Sequence, residues 1–496
     1  MDIQAYIVSI VAFLAILWLF NRSHNTPPGP LALPLVGNML SLSKDAYLDF
    51  DKMADRYGSV FQLKLGPTTA VILHGYDAVY QAFVRQGADF SDRPSVGVFE
   101  RLVRDPQYPD TGGKRGSFFF EHYGHAWRTR RKFCLRAFQR IGFRNKILEG
   151  NIHKEFTFFS GVLDKCGRHP FDPKTAIMNM VTNTTCSLIF GKRFEYDDVT
   201  FKELVRVCFD IGREITLGSP GNFFPFLCDL PFAYRNLKNM IKFMRETINK
   251  ATKEHTETIN PAAPRDIIDL YLLEILKERR KPGEGTEVFT EKFLWRGVLD
   301  IFQAGSETTS GALCWAFLYM AVHTDVQEKV QKEIEDVIGS TRPATYSDKT
   351  SMPYTAATIK EILRLANVTP YAVPRCTSAD TTLYQYVIPK GTMIMASVWS
   401  VHHDKKYWQD VETFLPERFL DETGNIVHKD AYIPFSLGPR NCLGKQLVNV
   451  MMFLIFVNAL QKYSLSLPEN EPSPDLKGMS STTRVPMPYR LCALKR

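Results

Sequence analysis

The sequence predicts a mainly α-helical protein with a small β region, built as one large domain behind a single N-terminal membrane-spanning helix. Three observations lead there. Apolar residues recur with helical spacing along most of the chain, as in Asp325 to Ile338, where Val326, Val330, Ile334 and Val337 share one face and Lys and Glu cover the other. Strand signals are few and short. The stretch Ala5 to Phe20, AYIVSIVAFLAILWLF, is uncharged and almost wholly apolar, and with its flanks it reaches the ~17 to 20 residues a bilayer span needs.

The N-terminal span, 3–21, reads as an anchor rather than a cleaved leader, because Asp2 precedes it, no Lys or Arg does, and no small-residue cleavage site follows. Arg22 after the span places the rest of the chain in the cytoplasm by the positive-inside bias. Residues 22–38 include TPPGPLALPLVGN, whose four prolines favour a stiff extended linker. The domain proper is then 39–496. No Gly/Ser linker, charge block or internal repeat divides it. With 45% hydrophobic and 23% charged residues it has ordinary globular composition and material for a large core. Nine cysteines, odd in number and with no two within four residues of one another, argue against a disulfide framework and a Cys-rich zinc or iron–sulfur site.

Within the domain, VFQLKLG and TAVILHG, Val60 to Gly75, read as a hairpin. HAWRTRRKF, His125 to Phe133, places Trp127 and Arg131 four apart on one helix face, where an indole N–H and a guanidinium suit a carboxylate. From Trp127 to Lys146 there are eight Lys or Arg and no acid, as many charges as the net +8 of the whole chain. No nucleic-acid motif accompanies the run, so an acidic protein partner is the better expectation. GSPGNFFPFLCDLPF, Gly218 to Phe232, is an aromatic loop suited either to membrane contact or to covering a core.

The helical stretch DIFQAGSETTSGALCWAF, Asp300 to Phe317, carries Gly305, Glu307, Thr308, Thr309 and Gly311 among apolar residues. Glycine costs about 1 kcal/mol against alanine in a helix interior, and a buried carboxylate costs more unless paired or protonated. Either a site uses these groups, or the Thr hydroxyls bond back to carbonyls one turn earlier and Glu307 reaches solvent. In KEILR, Glu361 and Arg364 lie three apart, opposite Ile359, Ile362 and Leu363, and spacing alone reads as a surface ion pair. TTLYQYVIPKGTMIMAS, Thr381 to Ser397, reads as strands interrupted by Pro389 and Gly391, and PERF places Arg418 downstream. Last comes FSLGPRNCLG, Phe435 to Gly444, leading into an uncharged helix. Arg440 and a helix N-terminus would favour the thiolate of Cys442, whereas an isolated cysteine is more often a small buried hydrophobe. The apolar run Leu447 to Val457 is too short to span a bilayer and reads as a core helix buried all round.

Taken together and in order, these segments resemble the cytochrome P-450 family, most closely its microsomal animal-type branch. FSLGPRNCLG matches the F-x-x-G-x-R-x-C-x-G haem-binding signature at every fixed position, AGSETT resembles A-G-x-D/E-T-T, EILR the E-x-x-R motif, PERF the matching arginine loop, and WRTRR the W-x-x-x-R clamp. The resemblance implies a triangular helical prism around a buried haem b, with Cys442 as the axial ligand of the haem iron. It implies Gly438, Gly444, Phe435 and Ala304 around the macrocycle, and Arg440, Trp127, Arg131, Arg93 and Arg375 toward its propionates. Many relatives carry histidine at the position of Arg375. Glu361, Arg364 and Arg418 become a buried structural triad, which overrides the surface reading of the pair. Thr308 and Glu307 become the proton-delivering groups of oxygen activation.

The implied activity is insertion of one oxygen atom from O2 into a lipophilic small molecule of steroid, fatty acid or xenobiotic type. Electrons would come from NADPH through a P-450 reductase, with cytochrome b-five as an optional second partner, at the endoplasmic reticulum membrane. Membrane lipid is a further partner, and nucleic acid is not. Lys445 joins the basic run as a docking face, and the region of Val98, Leu299 to Ala304, Val368 to Val373 and Ser480 to Thr483 are the substrate-facing candidates. Two other functions are set against this reading: a peroxide isomerase or dehydratase on the same haem, and a non-enzymatic membrane haem carrier. Intact Glu307 and Thr308 count against both.

Overall fold

In the computed structural model, which describes residues 25–95, 97–98, 101, 117–143, 147–214, 216, 218–230, 232–280 and 288–496, the expected hairpin is present. β1 (Val60–Leu65) pairs antiparallel with β2 (Thr68–Leu73), between α1 (Ala46–Tyr57) and the short α2 (Tyr76–Tyr80). The helices that follow are α3 (His125–Ala137), α4 (Ile147–Cys166), α5 (Lys174–Phe190), α6 (Val199–Glu214), α7 (Arg235–Thr258), α8 (Ile267–Arg279), α9 (Glu291–Val322), α10 (Thr324–Val337) and α11 (Pro353–Ala366). They form a helical body beside the sheet. After β3 (Arg375–Cys376), the strand-rich stretch divides at Pro389 and Gly391. β4 (Thr381–Leu383) and β5 (Tyr386–Ile388) make a small hairpin, and β6 (Met393–Ala396) instead pairs parallel with β2 and antiparallel with β3. The sheet order β1-β2-β6-β3 thus ties the two ends of the chain together.

The remaining elements are α12 (Val398–His402), α13 (Lys445–Lys462), β7 (Tyr463–Ser466), β8 (Met479–Ser480), β9 (Arg484–Val485) and β10 (Cys492–Lys495). β7 pairs with β10, and β8 pairs with β9. α9, 32 residues long, starts at Thr290, whose side chain accepts the Phe293 N–H, and packs chiefly on α5. From Leu447 to Leu460 α13 carries no charge, and every residue from Val450 to Leu460 is buried, as the apolar run in its sequence predicts. α10 buries Val326, Val330 and Ile334, the expected face.

The anchor expected at 3–21 lies outside the described residues. Among those described, no helix is long and apolar enough to cross a membrane. The proline-rich segment is expected to be an extended spacer, but from Pro28 onward it lies against β1. Pro28 O accepts the Gln62 N–H at 2.8 Å, and Asn38 Oδ1 accepts the Lys64 N–H at 2.8 Å. A side chain at Gly37 (φ +63) would begin 2.1 Å from Lys64 O, so the close approach requires glycine. Sequence composition conveys the stiffness of this segment but not the strand edge that it covers.

A buried charge pair joins α7 to α8. His255 donates through Nδ1 to Ala251 O and through Nε2 to Asp266 Oδ2, both at 2.7 Å, while Asp266 Oδ1 caps α8 by accepting the Asp269 N–H at 2.9 Å. Both ring nitrogens face acceptors, so the imidazolium is the form that satisfies them. Burial opposes that charge, yet the bonds and charges of Asp266, with Ala251 O and Asp269, raise the His255 pKa overall. A raised histidine contributes stability that is complete below its ordinary pKa and lost as pH rises through the raised one. We therefore expect the thermal midpoint of the full-length protein to fall between roughly pH 6.5 and the raised pKa, and His255→Leu to flatten that slope. An equal slope in the variant would remove His255 as its cause.

Candidate functional site

Cys442 sits at the end of a loop that folds back on itself before α13. Its N–H donates to Phe435 O at 2.9 Å, and Asn441 N–H donates to Gly438 O at 3.1 Å. Gly438 has φ +71, and a Cβ there would lie 1.8 Å from Phe83 O, so this glycine is required by packing against the segment after α2. Gly444 is the residue before α13, and a Cβ there would meet nothing within 4 Å. Burial pushes the Cys442 thiol upward, opposed by the amides of Gly444 and Lys445 and by the charges of Arg131 and Lys445. The local groups thus favour the thiolate, as the sequence leads one to expect, and burial opposes them. Cys442 is exposed at its own surface while protein surrounds it closely enough for desolvation to dominate. Such a side chain faces an interior surface rather than bulk solvent.

Four arginines converge beside this loop. Arg375 on β3 donates to Leu437 O at 2.7 Å and lies with its guanidinium carbon 3.4 Å from the centroid of the Phe83 ring. Arg440 donates to Ser91 O at 2.8 Å and Glu121 O at 2.6 Å, and stacks 4.1 Å from the Trp127 centroid. Arg131, on the same α3 as Trp127, donates to Asn441 Oδ1. Arg93 donates to Phe119 O and Val373 O, each at 2.7 Å, and to Pro374 O at 2.5 Å. Burial, and then the repulsion of Arg93, Arg440 and Arg131, hold the Arg375 guanidinium well below its usual range. Nη1 of Arg375 and Nη1 of Arg440 are buried with no protein partner among the described residues. Clustered cations with spare donors fit a ligand that brings carboxylates, and a cysteine beside them fits a metal at its centre. The residues present therefore suit haem with its two propionates. Arg93 stands apart in this set because the three carbonyls it holds already give it a structural role.

On α9 the side chains of Gln303, Ala304 and Thr308, with Gly305, are partly exposed although Ile301, Phe302, Ser306, Glu307 and Thr309 around them are buried. Thr308 donates its hydroxyl to Ala304 O at 2.7 Å, the back-bond considered from sequence, which leaves its oxygen lone pairs free to accept. Glu307 does not reach solvent. Its carboxylate accepts from Thr483 Oγ1 at 2.8 Å and from Gln303 Nε2 at 2.9 Å. Adjacent residues on a helix point about 100° apart; Glu307 faces α6 and the β8–β9 turn, and its carboxyl makes no hydrogen bond to Thr308.

The pair Glu361 and Arg364, which helical spacing places on the surface, is fully buried. Glu361 Oε1 accepts from Arg364 Nη2 at 2.8 Å and from Arg418 Nε at 3.0 Å, and Glu361 Oε2 accepts from Arg364 Nε at 2.8 Å. Residues 402–418 cover the face that spacing alone leaves open.

Three further residues escape sequence reasoning. Asp300, taken as substrate-facing, accepts from Ser117 Oγ at 2.7 Å and from the Phe118 and Phe119 amides at 2.6 and 3.2 Å; burial raises it to about 6. A carboxylate this deep in a mostly apolar stretch of helix is the signal that could have marked it. Thr483, also taken as substrate-facing, binds Glu307. Arg484 donates to the carbonyls of Leu365, Ala366, Leu476 and Lys477 between 2.6 and 2.9 Å, a hub that no local pattern announces.

The family model described as Cytochrome P450 matches residues 27–493 of the chain. Among curated proteins, human Cytochrome P450 2U1 is 37% identical, covering 98% of this chain and 92% of the relative. Human Cytochrome P450 2J2 is 36% identical over 96% and 92%, and mouse Cytochrome P450 2D26 is 34% identical over 100% and 99%.

Proposed function

Because the chain belongs to the cytochrome P450 family and is a haem-thiolate monooxygenase, we propose that it inserts one oxygen atom of O2 into a lipophilic small molecule with electrons drawn from NADPH through a reductase. The observation that carries the site assignment is the arginine cluster with its two unpartnered Nη1 atoms beside Cys442. Cys442 is the iron ligand in this reading. Arg131, Arg375, Arg440 and Trp127 hold the propionates, Arg93 supports the loop that presents them, and Phe435, Gly438, Gly444 and Ala304 shape the walls. Haem, when bound, supplies the redox-active iron and the oxygen chemistry.

The chain's own residues order protons and exclude water. Thr308 can accept a hydrogen bond on its hydroxyl oxygen and hand its own proton on, since its present acceptor is only Ala304 O. Glu307 is the acid that resupplies it, held protonatable by burial against the bonds from Thr483 and Gln303. In Thr308→Val, haem content is expected to match wild type, while oxygenated product per NADPH falls by roughly tenfold or more and peroxide release rises. An unchanged product ratio would remove Thr308 from proton delivery.

Reductase docking is assigned to the α3 face, where Arg128, Lys132 and Arg136 recur every four residues, continued by Arg140 and joined by Lys445; all five are exposed. Endoplasmic reticulum membrane attachment, with 3–21 as a single-pass anchor and the domain from 39 onward in the cytoplasm, is supported by two apolar patches. Leu31, Leu33, Leu35 and Leu40 are exposed, as are Phe226, Leu230 and Phe232. Gly66 links them, with its N–H donating to Val36 O and with no room for a side chain, since a Cβ there would lie 2.8 Å from the Phe224 ring. The test of the reaction supplies 18O2, NADPH and reductase to the holoenzyme across a panel of fatty acids, steroids and foreign lipophiles. One product heavier by a single labelled oxygen supports the proposal, and NADPH-independent turnover of an added peroxide alone would replace it with an isomerase.

A further inference from the structure

The Glu307 carboxyl is held by more than its own helix. One oxygen accepts from Thr483 in the β8–β9 turn at 2.8 Å, the other from Gln303 one turn earlier on α9 at 2.9 Å. Glu307 is 7% exposed and Thr483 is 3% exposed, so water competes little for either bond. The turn itself is fastened to α6, because Thr482 Oγ1 donates to Gly212 O at 2.6 Å. Gly212 leaves the space that the carboxyl fills, since a Cβ there would lie 2.5 Å from both of its oxygens. Three segments far apart in sequence thus fix one carboxyl, away from its neighbour Thr308.

We propose that Thr483, together with Gln303, is the positioning residue that holds Glu307 facing α6 and so governs its exchange of a proton between solvent and the oxygen site. The proposal rests on the relay reading of Glu307 given above. In the relay Glu307 gives up one carboxyl proton toward the site and regains one from solvent, so the residue ends each cycle unchanged. Both bonds donate to the carboxylate, and both therefore favour the ionised form that burial disfavours. Among the described residues, the charged or titratable groups that face it are Arg213 and Cys208, both on α6. Removing the Thr483 donor should leave the fold intact, because valine has the same shape, and should make the carboxyl harder to ionise.

The experiment is an infrared titration of the full-length holoenzyme. The Glu307 carboxyl band is identified as the one absent from Glu307→Gln. In Thr483→Val its midpoint is expected to move up by about one pH unit, the scale of one hydrogen bond to a charged group. Thr483→Ser should restore the wild-type midpoint, and Gln303→Met should move it in the same direction as Thr483→Val. Peroxide released per NADPH, with reductase and lauric acid present, should rise in Thr483→Val and not in Thr483→Ser. An unmoved midpoint in both Thr483→Val and Gln303→Met overturns the positioning role. If the midpoint moves but Glu307→Gln releases no more peroxide than wild type, the relay reading falls while the Thr483 contact stands.

Discussion

Glu361→Ala is expected to yield almost no folded, haem-retaining protein. Arg364 and Arg418 both donate to Glu361, and side-chain exposure is 0% for Glu361 and Arg364 and 7% for Arg418. Removing the carboxylate leaves two guanidiniums buried without their counter-charge. Breaking a buried pair by deleting one partner costs about 3–5 kcal/mol, a large share of a total stability of roughly 5–15 kcal/mol. The damage extends through the backbone that these arginines hold. Arg364 also donates to His402 O and Val411 O, each at 2.9 Å, and Arg418 to Gln409 O at 2.6 Å and Asp410 O at 3.1 Å. Segment 402–418 would lose its fastening to α11, and with it the hold of His402 Nε2 on the Ile433 N–H two residues before the Cys442 loop. Glu361→Asp keeps the charge on a shorter stem and should recover part of the yield. Holoenzyme yield and thermal midpoint read the effect; a Glu361→Ala protein melting within a few degrees of wild type would show that the pair adds nothing.

The same pair marks what was legible in the sequence. Three-residue spacing on α11 correctly brings Glu361 and Arg364 together, but it cannot reveal that residues 402–418 return to cover them. Period-3.6 patterns report which face is apolar, and a face that is polar and yet buried is invisible to them. The family resemblance corrected that reading because its motif carries the burial. Hairpin β1–β2, the apolar face of α10 and the all-round burial of α13 were legible because each is decided by neighbours close in sequence. The parallel pairing of β2 with β6 was not, since the partners lie more than 300 residues apart and no local signal selects one strand over another.

Within the site, the loop from Phe435 to Gly444 was legible as a continuous motif, and so were Trp127 and Arg131 on one turn of α3. Arg375 and Arg93 were placed by resemblance alone, and only the folded chain brings their guanidiniums near Arg440. Glu307 is the clearest case of partial legibility. Its unlikely position in an apolar helix was plain, but its partner Thr483 is 176 residues away, and the resemblance put Ser480 to Thr483 among the substrate-facing candidates instead. Phe118, Phe119 and Asp300 were lost for the same reason.

The assignment of Cys442 as iron ligand is the claim on which the rest depends, and its expected loss is the second large effect. Thiolate donation to the iron gives the reduced carbon monoxide complex a long-wavelength absorption that nitrogen or oxygen ligands do not give. In Cys442→Ala the arginine cluster remains, so some haem should still be captured through its propionates, but with no sulfur beneath the iron. Monooxygenase activity should then fall by several orders of magnitude, too far for loss of haem alone to explain. The deciding measurement is the difference spectrum of dithionite-reduced protein with carbon monoxide, for wild type and Cys442→Ala normalised to haem content. The thiolate band in wild type and its absence in the variant is the expected result; the same band in Cys442→Ala would contradict it and place the ligand on another residue.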